Sequence, residues 1–211
     1  ELIQLMQNFD IPVIEDDAYS DLYFDTADLP LLKPIQAMEH GNIEVCYTGS
    51  FSKIIGPGLR LGWMLVPENI YQKCELVKQS VDACSPSFTQ VIADKFLRTG
   101  AIDSYLTRIR AEYKERAQAM IDCLTETLPA YVKWNKPRGG FYIWLQLPNN
   151  ANATEILKIA IDNGVVFVSG ITFDPDETRC NTIRVSYCNT PVDVIKKGVP
   201  IIASAIKQIC G

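Results

Sequence analysis

The sequence predicts an α/β fold: a first part on a mostly parallel sheet, then a smaller α+β region at the C-terminal end. Three observations lead there. Near the start, short apolar runs end in acidic or polar residues and alternate with helical periodicity, the pattern of parallel strands whose carboxyl ends carry a site. From about Ser87 to Thr127 the period is helical, with a break near Gly100. After Pro129 the texture changes to short strands, glycine-containing turns and two helices.

The elements follow in order. Leu2, Ile3, Leu5, Met6 and Phe9 form a helical apolar face, which Asp10 and Pro12 break. Ile11 to Ile14 reads as a buried strand, with Glu15, Asp16 and Asp17 just beyond its end. Glu44 to Thr48 reads as the next strand, followed by the polar loop Gly49-Ser50-Phe51-Ser52-Lys53 and the turn Gly56-Pro57-Gly58. Arg60 to Val66 is a third strand, and Pro67 opens a helix near its first turn. Within the long helical stretch, Arg108, Arg110, Glu112, Lys114 and Glu115 mark a solvated face. Beyond it, Tyr131–Trp134 and Phe141–Leu147 are strands around the turn Pro137-Arg138-Gly139-Gly140. Thr154 to Asn163 is a helix stopped by Gly164, and Val165–Val168 and Thr182–Ser186 are strands. Thr190, as N-cap, and Pro191 open the last helix. Residues 1–85 are therefore expected to be part of a large domain, 86–130 interdomain helices, and 131–211 a small domain.

Composition removes several function classes. The chain has 211 residues and a net charge of −5 without a long basic run, a poor match to phosphate-backbone binding. Its seven cysteines are odd in number and irregularly spaced, which points to reduced thiols in a cytoplasmic protein rather than a disulfide framework. His40 is the only histidine, so common zinc sites and Ser-His or Cys-His catalysis are not expected. No apolar run reaches membrane-spanning length. The chain starts without Met and inside a helical pattern, and is read as a fragment whose upstream part is absent.

The remaining chemistry centres on Lys53. A lysine at a strand end can simply be solvated. Here it stands beside Ser50 and Ser52, with Arg60 seven residues on. Hydroxyls and a guanidinium suit a phosphate monoester, and an amine near another cation is a better nucleophile toward an aldehyde. A phosphate ligand bearing an aldehyde is pyridoxal 5'-phosphate. Such a cofactor needs a carboxylate at its ring nitrogen and a hydroxyl at its phenolate oxygen. Asp16-Asp17-Ala18-Tyr19 supplies both types. Taken singly, Asp16 reads equally as a turn cap and Tyr19 as a half-buried core aromatic.

Ile14-Glu15-Asp16-Asp17-Ala18-Tyr19, Gly49-Ser50-Phe51-Ser52-Lys53 and Pro57-Gly58-Leu59-Arg60-Leu61-Gly62 resemble the signatures of the class I/II aminotransferases of fold type I. The resemblance continues through Pro86–Gln90, Arg138–Leu145 and Ile183–Tyr187. It is nearest to the aminoadipate/kynurenine aminotransferase-like branch, which includes the aminotransferase-like domain of GntR/MocR-type transcription regulators. It implies a partial PLP-transferase large domain plus the small domain, the C-terminal half of such a protein. It implies that Lys53 binds the cofactor covalently and moves the substrate's α-proton. By the family spacing of three residues before Tyr19, Asp16 rather than Asp17 pairs with the ring nitrogen. Tyr19 bonds the phenolate oxygen, and Ser50, Ser52 and Arg60 hold the phosphate. Arg184 clamps the substrate α-carboxylate; an ordinary strand-edge salt bridge is the competing reading.

The upstream glycine-rich phosphate turn, the aromatic that stacks on the cofactor and an Asn before the acidic strand are missing from this sequence. The fragment is accordingly expected to bind the cofactor weakly or not at all, and to expose apolar sheet or dimer surface. The resemblance implies amino acid and 2-oxo acid substrates and a homodimer at full length; no membrane and no nucleic acid are expected for this stretch, nucleic acid staying possible through an upstream domain. Three activities stay open: amino-group transfer, sensing in a MocR-type regulator, and a different reaction of the same cofactor.

Overall fold

Backbone pairing at Val45, Cys46 and Tyr47 organises the first sheet. The computed structural model describes residues 2–9, 11–27, 34–38 and 41–211, so Asp10 and His40 lie outside the described residues. A short helix α1 (Leu2–Met6) precedes strand β1 (Val13–Asp17). Strand β2 (Val45–Ser50) lies parallel to β1, with Val13 opposite Val45 and Asp17 opposite Gly49. Strand β3 (Gly62–Leu65) returns antiparallel to β2, with Ser50 opposite Gly62. The sheet order is β1-β2-β3.

The α/β reading holds, with a correction in the sheet. It is mixed, because only a one-turn helix α2 (Phe51–Ile54) and a 3-10 turn (Pro57–Leu59) join β2 to β3. A connection that short reverses the chain; a parallel return needs a longer crossover. Strand boundaries differ from expectation in the same region, β1 starting at Val13 and β3 spanning only Gly62–Leu65. Glu15, Asp16 and Asp17 belong to β1 itself, since Tyr47, Thr48 and Gly49 offer their backbones as partners. Gly49 and Ser50 end β2 rather than opening a loop, because Trp63 and Gly62 pair with them.

Helices α3 (Glu68–Asp82) and α4 (Ser87–Arg98) follow, then the long α5 (Ala101–Thr127). The chain divides into two compact units, residues 1–109 and 110–211. In the first, Leu22, Val45, Cys46, Ile54, Leu61, Ala93, Leu106 and Ile109 are buried. Ile14, Met64 and Leu65 are exposed on the sheet.

The second unit is an antiparallel sheet backed by helices. Its order is β4 (Lys133–Trp134), β5 (Tyr142–Gln146), β7 (Thr182–Ser186), β6 (Val168–Ser169). Alternation decides its faces. Ile143, Leu145, Ile183 and Val185 are buried in the core, while Tyr142, Trp144 and Arg184 alternate with them on the other face. Helices α6 (Ala153–Asp162) and α7 (Val192–Cys210) supply Ile156, Ala160, Ile195, Val199, Ile202 and Ile206 to that core. The 195, 199, 202, 206 spacing forms one helical stripe. Each such side chain contributes about 1.5–3 kcal/mol by leaving water. Pro200 is tolerated inside α7 on its exposed side, where water can take the unpaired carbonyl.

Strands β4 and β6 are shorter than the runs Tyr131–Trp134 and Val165–Val168, because their neighbours pair with two residues each. Asn152 caps α6 by accepting from Thr154 N at 3.0 Å, and Gly164 ends it at φ +79°. At α7, Pro191 occupies the cap position instead of Thr190. Its extended backbone (φ −57°, ψ 150°) delays the first helical residue by one, and its carbonyl accepts from Val194 N and Ile195 N at 3.0 Å. All seven cysteines are free thiols. Among the described residues, no helix is long and apolar enough to cross a membrane.

Candidate functional site

Strand alternation splits the three acids of β1. Glu15 and Asp17 share one face and Asp16 takes the other. Glu15 Oε2 accepts from Ile35 N at 2.8 Å and Gln36 N at 3.4 Å, so it caps a 3-10 turn. Asp17 is engaged by three donors: Ser20 N at 2.9 Å, Ser20 Oγ at 2.6 Å and the Tyr47 hydroxyl at 2.5 Å. Asp16 is exposed and, among the described residues, receives only the Thr48 hydroxyl at 3.3 Å. Of the two adjacent carboxylates, Asp16 is the one with acceptor capacity left for a ligand.

Past Asp17 the chain turns through Ala18 and Tyr19 into a 3-10 helix (Ser20–Leu22) anchored by the fully buried Leu22. The Tyr19 ring then meets Lys53, whose Nζ lies 5.6 Å from the ring centre.

Lys53 sits on α2, directly after β2. The turn is tied down on two sides: Phe51 N donates to Leu61 O at 3.1 Å, and the Tyr105 hydroxyl donates to Ile55 O at 3.1 Å. Ser50 and Ser52 flank Phe51, and Leu61 is the neighbour of Arg60. Ser50, Ser52, Lys53 and Arg60 are thus gathered at one end of the β2–β3 pair, beside the carboxyl end of β1 that carries Asp16 and Tyr19. Ligands of open α/β sheets bind at such strand ends. Arg60 has left-handed backbone (φ 50°, ψ 40°), a conformation that costs a residue with a Cβ about 1–2 kcal/mol. Among the described residues its Nη1 reaches only the Pro57 carbonyl, at 3.5 Å.

Gly49 lets the strand end close. A Cβ there would fall 2.4 Å from the Trp63 ring, which packs edge-on to Tyr47 at 5.1 Å between centres. Burial and the bond to Asp17 both push the Tyr47 hydroxyl's pKa well above its ordinary range. Among the described residues no carboxylate pairs with Lys53 or Arg60. Two hydroxyls, an amine and a guanidinium against one available carboxylate is a donor set that suits an anionic phosphate ester with a reactive carbonyl carbon.

Arg184 lies in the second unit, on β7. Its guanidinium carbon is 4.1 Å from the Tyr142 ring centre and 4.3 Å from that of Phe173, and its buried Nε has no hydrogen-bond partner. Among the described residues it forms no ion pair, so the strand-edge salt bridge is not what holds it.

Sequence reasoning missed Tyr47, Ser20 and Trp63 around the first cluster and Tyr142 and Phe173 around Arg184. Tyr47 had a signal, since a two-residue step from Gly49 puts it on the same strand face. Phe173 had none, because its contact with Arg184 crosses a turn of no regular period.

Residues 1–202 match the family model for aminotransferase class I and II. The chain belongs to that family. Among curated class I and II relatives, it is 36% identical over 207 residues to an aromatic-amino-acid aminotransferase of Thermococcus litoralis, covering 98% of this chain and 49% of that protein. The solved structure of LysN, an α-aminoadipate aminotransferase of Thermus thermophilus complexed with N-(5'-phosphopyridoxyl)-L-leucine, is 33% identical with a TM-score of 0.92. That match covers 99% of this chain and 53% of LysN. An uncharacterised HTH-type transcriptional regulator of Bacillus subtilis, YisV, is 32% identical over 99% of this chain and 42% of its own length. The chain spans about half the length of the curated aminotransferases it matches.

Proposed function

We propose that the protein containing this chain transfers an amino group between an amino acid and a 2-oxo acid, with pyridoxal 5'-phosphate as cofactor. The observation that carries this reading is the strand-end cluster. Asp17 is engaged by three donors, Asp16 accepts one bond among the described residues, and Lys53 faces Tyr19 without a carboxylate partner among the described residues. Membership of the aminotransferase family supports it, as does the phosphopyridoxyl ligand bound by LysN.

When bound, the cofactor supplies an aldehyde carbon and a ring that stores the electron pair left at the substrate's α-carbon. The chain's own residues do the rest. Lys53 Nζ would be the nucleophile toward that aldehyde, and the same amine would take the substrate's α-proton and return it. Ser50 and Ser52 would donate hydroxyl hydrogens to the phosphate, and Arg60 would add charge-assisted N–H donors. The Asp16 carboxylate would keep a proton on the ring nitrogen. The Tyr19 hydroxyl would donate to the phenolate oxygen. Arg184, packed against two rings, would offer a fork to the substrate's α-carboxylate. The same reading assigns residues 1–85 to a large domain, 86–130 to interdomain helices and 131–211 to a small domain, in a cytoplasmic homodimer.

The similarity to YisV favours a second reading, in which the same residues bind cofactor or amino acid in a transcription regulator without turnover. Two measurements on the native protein separate these. Borohydride reduction with excess pyridoxal phosphate, followed by peptide mapping, should place a pyridoxyl group on Lys53. Incubation with amino acids and 2-oxoglutarate should then yield the matching 2-oxo acids. Labelling without turnover would favour the regulator, and an unmodified Lys53 would overturn both.

A further inference from the structure

Asp17 is the acid that the cofactor chemistry does not use, yet it is the best-held side chain at the strand end. Its two oxygens accept from both the backbone N (2.9 Å) and the hydroxyl (2.6 Å) of Ser20. That pair of bonds closes a ring from Asp17 to Ser20 over Ala18 and Tyr19. The second oxygen also accepts from Tyr47, at 2.5 Å, across the β1–β2 pair. Tyr47 is itself fixed by the Trp63 ring, which Gly49 admits. Leu22, fully buried, anchors the far side of the turn, and Leu22 N bonds Tyr19 O at 2.9 Å. Tyr19 is therefore the raised middle of a clasp whose two ends are pinned. Its ring lies 5.6 Å from Lys53 Nζ.

We propose that Asp17 is the positioning residue for Tyr19: its carboxylate, braced by Tyr47 and closed onto Ser20, fixes the turn that holds the Tyr19 ring before Lys53. The inference rests on the cofactor reading above. On that reading Asp17 would touch neither the cofactor nor the substrate, and its effect would reach the chemistry only through where Tyr19 stands. The other charged groups near the clasp have separate duties. Glu15, on the same strand face, caps the turn at Ile35 and Gln36. Asp16 points to the opposite face with Thr48. Lys53 meets the Tyr19 ring rather than either acid.

The test uses the full-length holoprotein and the pH midpoint of the cofactor's absorption band. A hydroxyl donating to the phenolate oxygen weakens that oxygen's hold on a nearby proton, so Y19F should move the midpoint to higher pH. D17N should move it the same way by roughly half a unit, about threefold in proton affinity. The double variant D17N/Y19F should go no further than Y19F alone, because Asp17 acts through Tyr19. A merely structural Asp17 would lower the melting temperature and leave the midpoint in place, or give shifts that add; either result overturns the proposal. S20A, which removes only the hydroxyl arm of the clasp, is the milder variant should D17N fold poorly, and its midpoint should move in the same direction. If wild-type Lys53 takes no pyridoxyl group on reduction, the cofactor reading fails first. If it is labelled and D17N leaves the midpoint unmoved, only the role of Asp17 fails.

Discussion

The guanidinium carbon of Arg184 lies 4.1 Å from the centre of the Tyr142 ring and 4.3 Å from that of the Phe173 ring. A planar cation packed against two rings has restricted freedom to swing, so a carboxylate would meet it pre-oriented. R184K keeps the charge but loses both the fork and the stacking. Initial rates with the full-length protein should show KM for the 2-oxo acid rising about 10–100-fold, with a smaller fall in kcat. F173A removes one ring, a contact worth roughly 0.5–2 kcal/mol, and should raise KM less than R184K does. An unchanged KM in R184K would show that another group holds the carboxylate.

Gly49 is set by space. A methyl there would meet the Trp63 ring at 2.4 Å, so G49A must displace the indole. Overpacking of this kind costs about 1–3 kcal/mol, and loss of the edge-on contact with Tyr47 about 0.5–1.5 kcal/mol. Urea denaturation should therefore show a lower midpoint for G49A. Adding W63L should restore part of the loss, since it removes the ring that clashes; a purely additive double variant would contradict the close approach.

Stability should fall as the pH rises above about 10, the ordinary tyrosine value. Burial raises the Tyr187 hydroxyl, which is fully enclosed and donates to Gly139 O at 2.9 Å. Burial and the Asp17 carboxylate raise Tyr47. Both groups keep their protons in the folded chain at pH values where the unfolded chain has lost them. The folded state then binds more protons, and the slope of stability against pH is negative. The contribution is complete below the unfolded value and is lost as the pH climbs toward the folded ones. Melting temperatures from pH 8 to 11 should drop more steeply for the wild type than for Y187F. Y187F itself should be less stable at neutral pH by about 1–3 kcal/mol, because Gly139 O loses its donor.

Short-range spacing was legible in the sequence, and contacts between distant segments were not. Asp16 and Tyr19, three residues apart, and Ser50, Ser52 and Lys53 carry their pattern locally, and the structure brings them with Arg60 to neighbouring strand ends. The central and C-terminal helices were equally visible from their apolar period. The end of β1 was misread because Glu15, Asp16 and Asp17 are charged; what keeps them in the sheet is the partner backbone of Tyr47 to Gly49, which no local period reveals. The bond from Tyr47 to Asp17 and the packing of Phe173 on Arg184 likewise join residues that only the fold makes neighbours.

Arg60 allows binding and stability to be separated. Its left-handed backbone costs about 1–2 kcal/mol that glycine would not incur, against about 0.5–1 kcal/mol for glycine's greater freedom in the unfolded chain. R60G should consequently melt within about 1 kcal/mol of the wild type. A charge-assisted bond to phosphate contributes about 1.5–3 kcal/mol, so the same variant should bind pyridoxal phosphate roughly 10–150-fold more weakly in an absorbance titration of the full-length protein. R60K keeps the backbone strain and the charge and should fall between the two in affinity without gaining stability. Weakened binding with preserved melting in R60G would identify the guanidinium as a phosphate ligand, because a folding defect could not produce that pair of results. Unchanged affinity would assign Arg60 to the turn alone and leave the phosphate to Ser50 and Ser52.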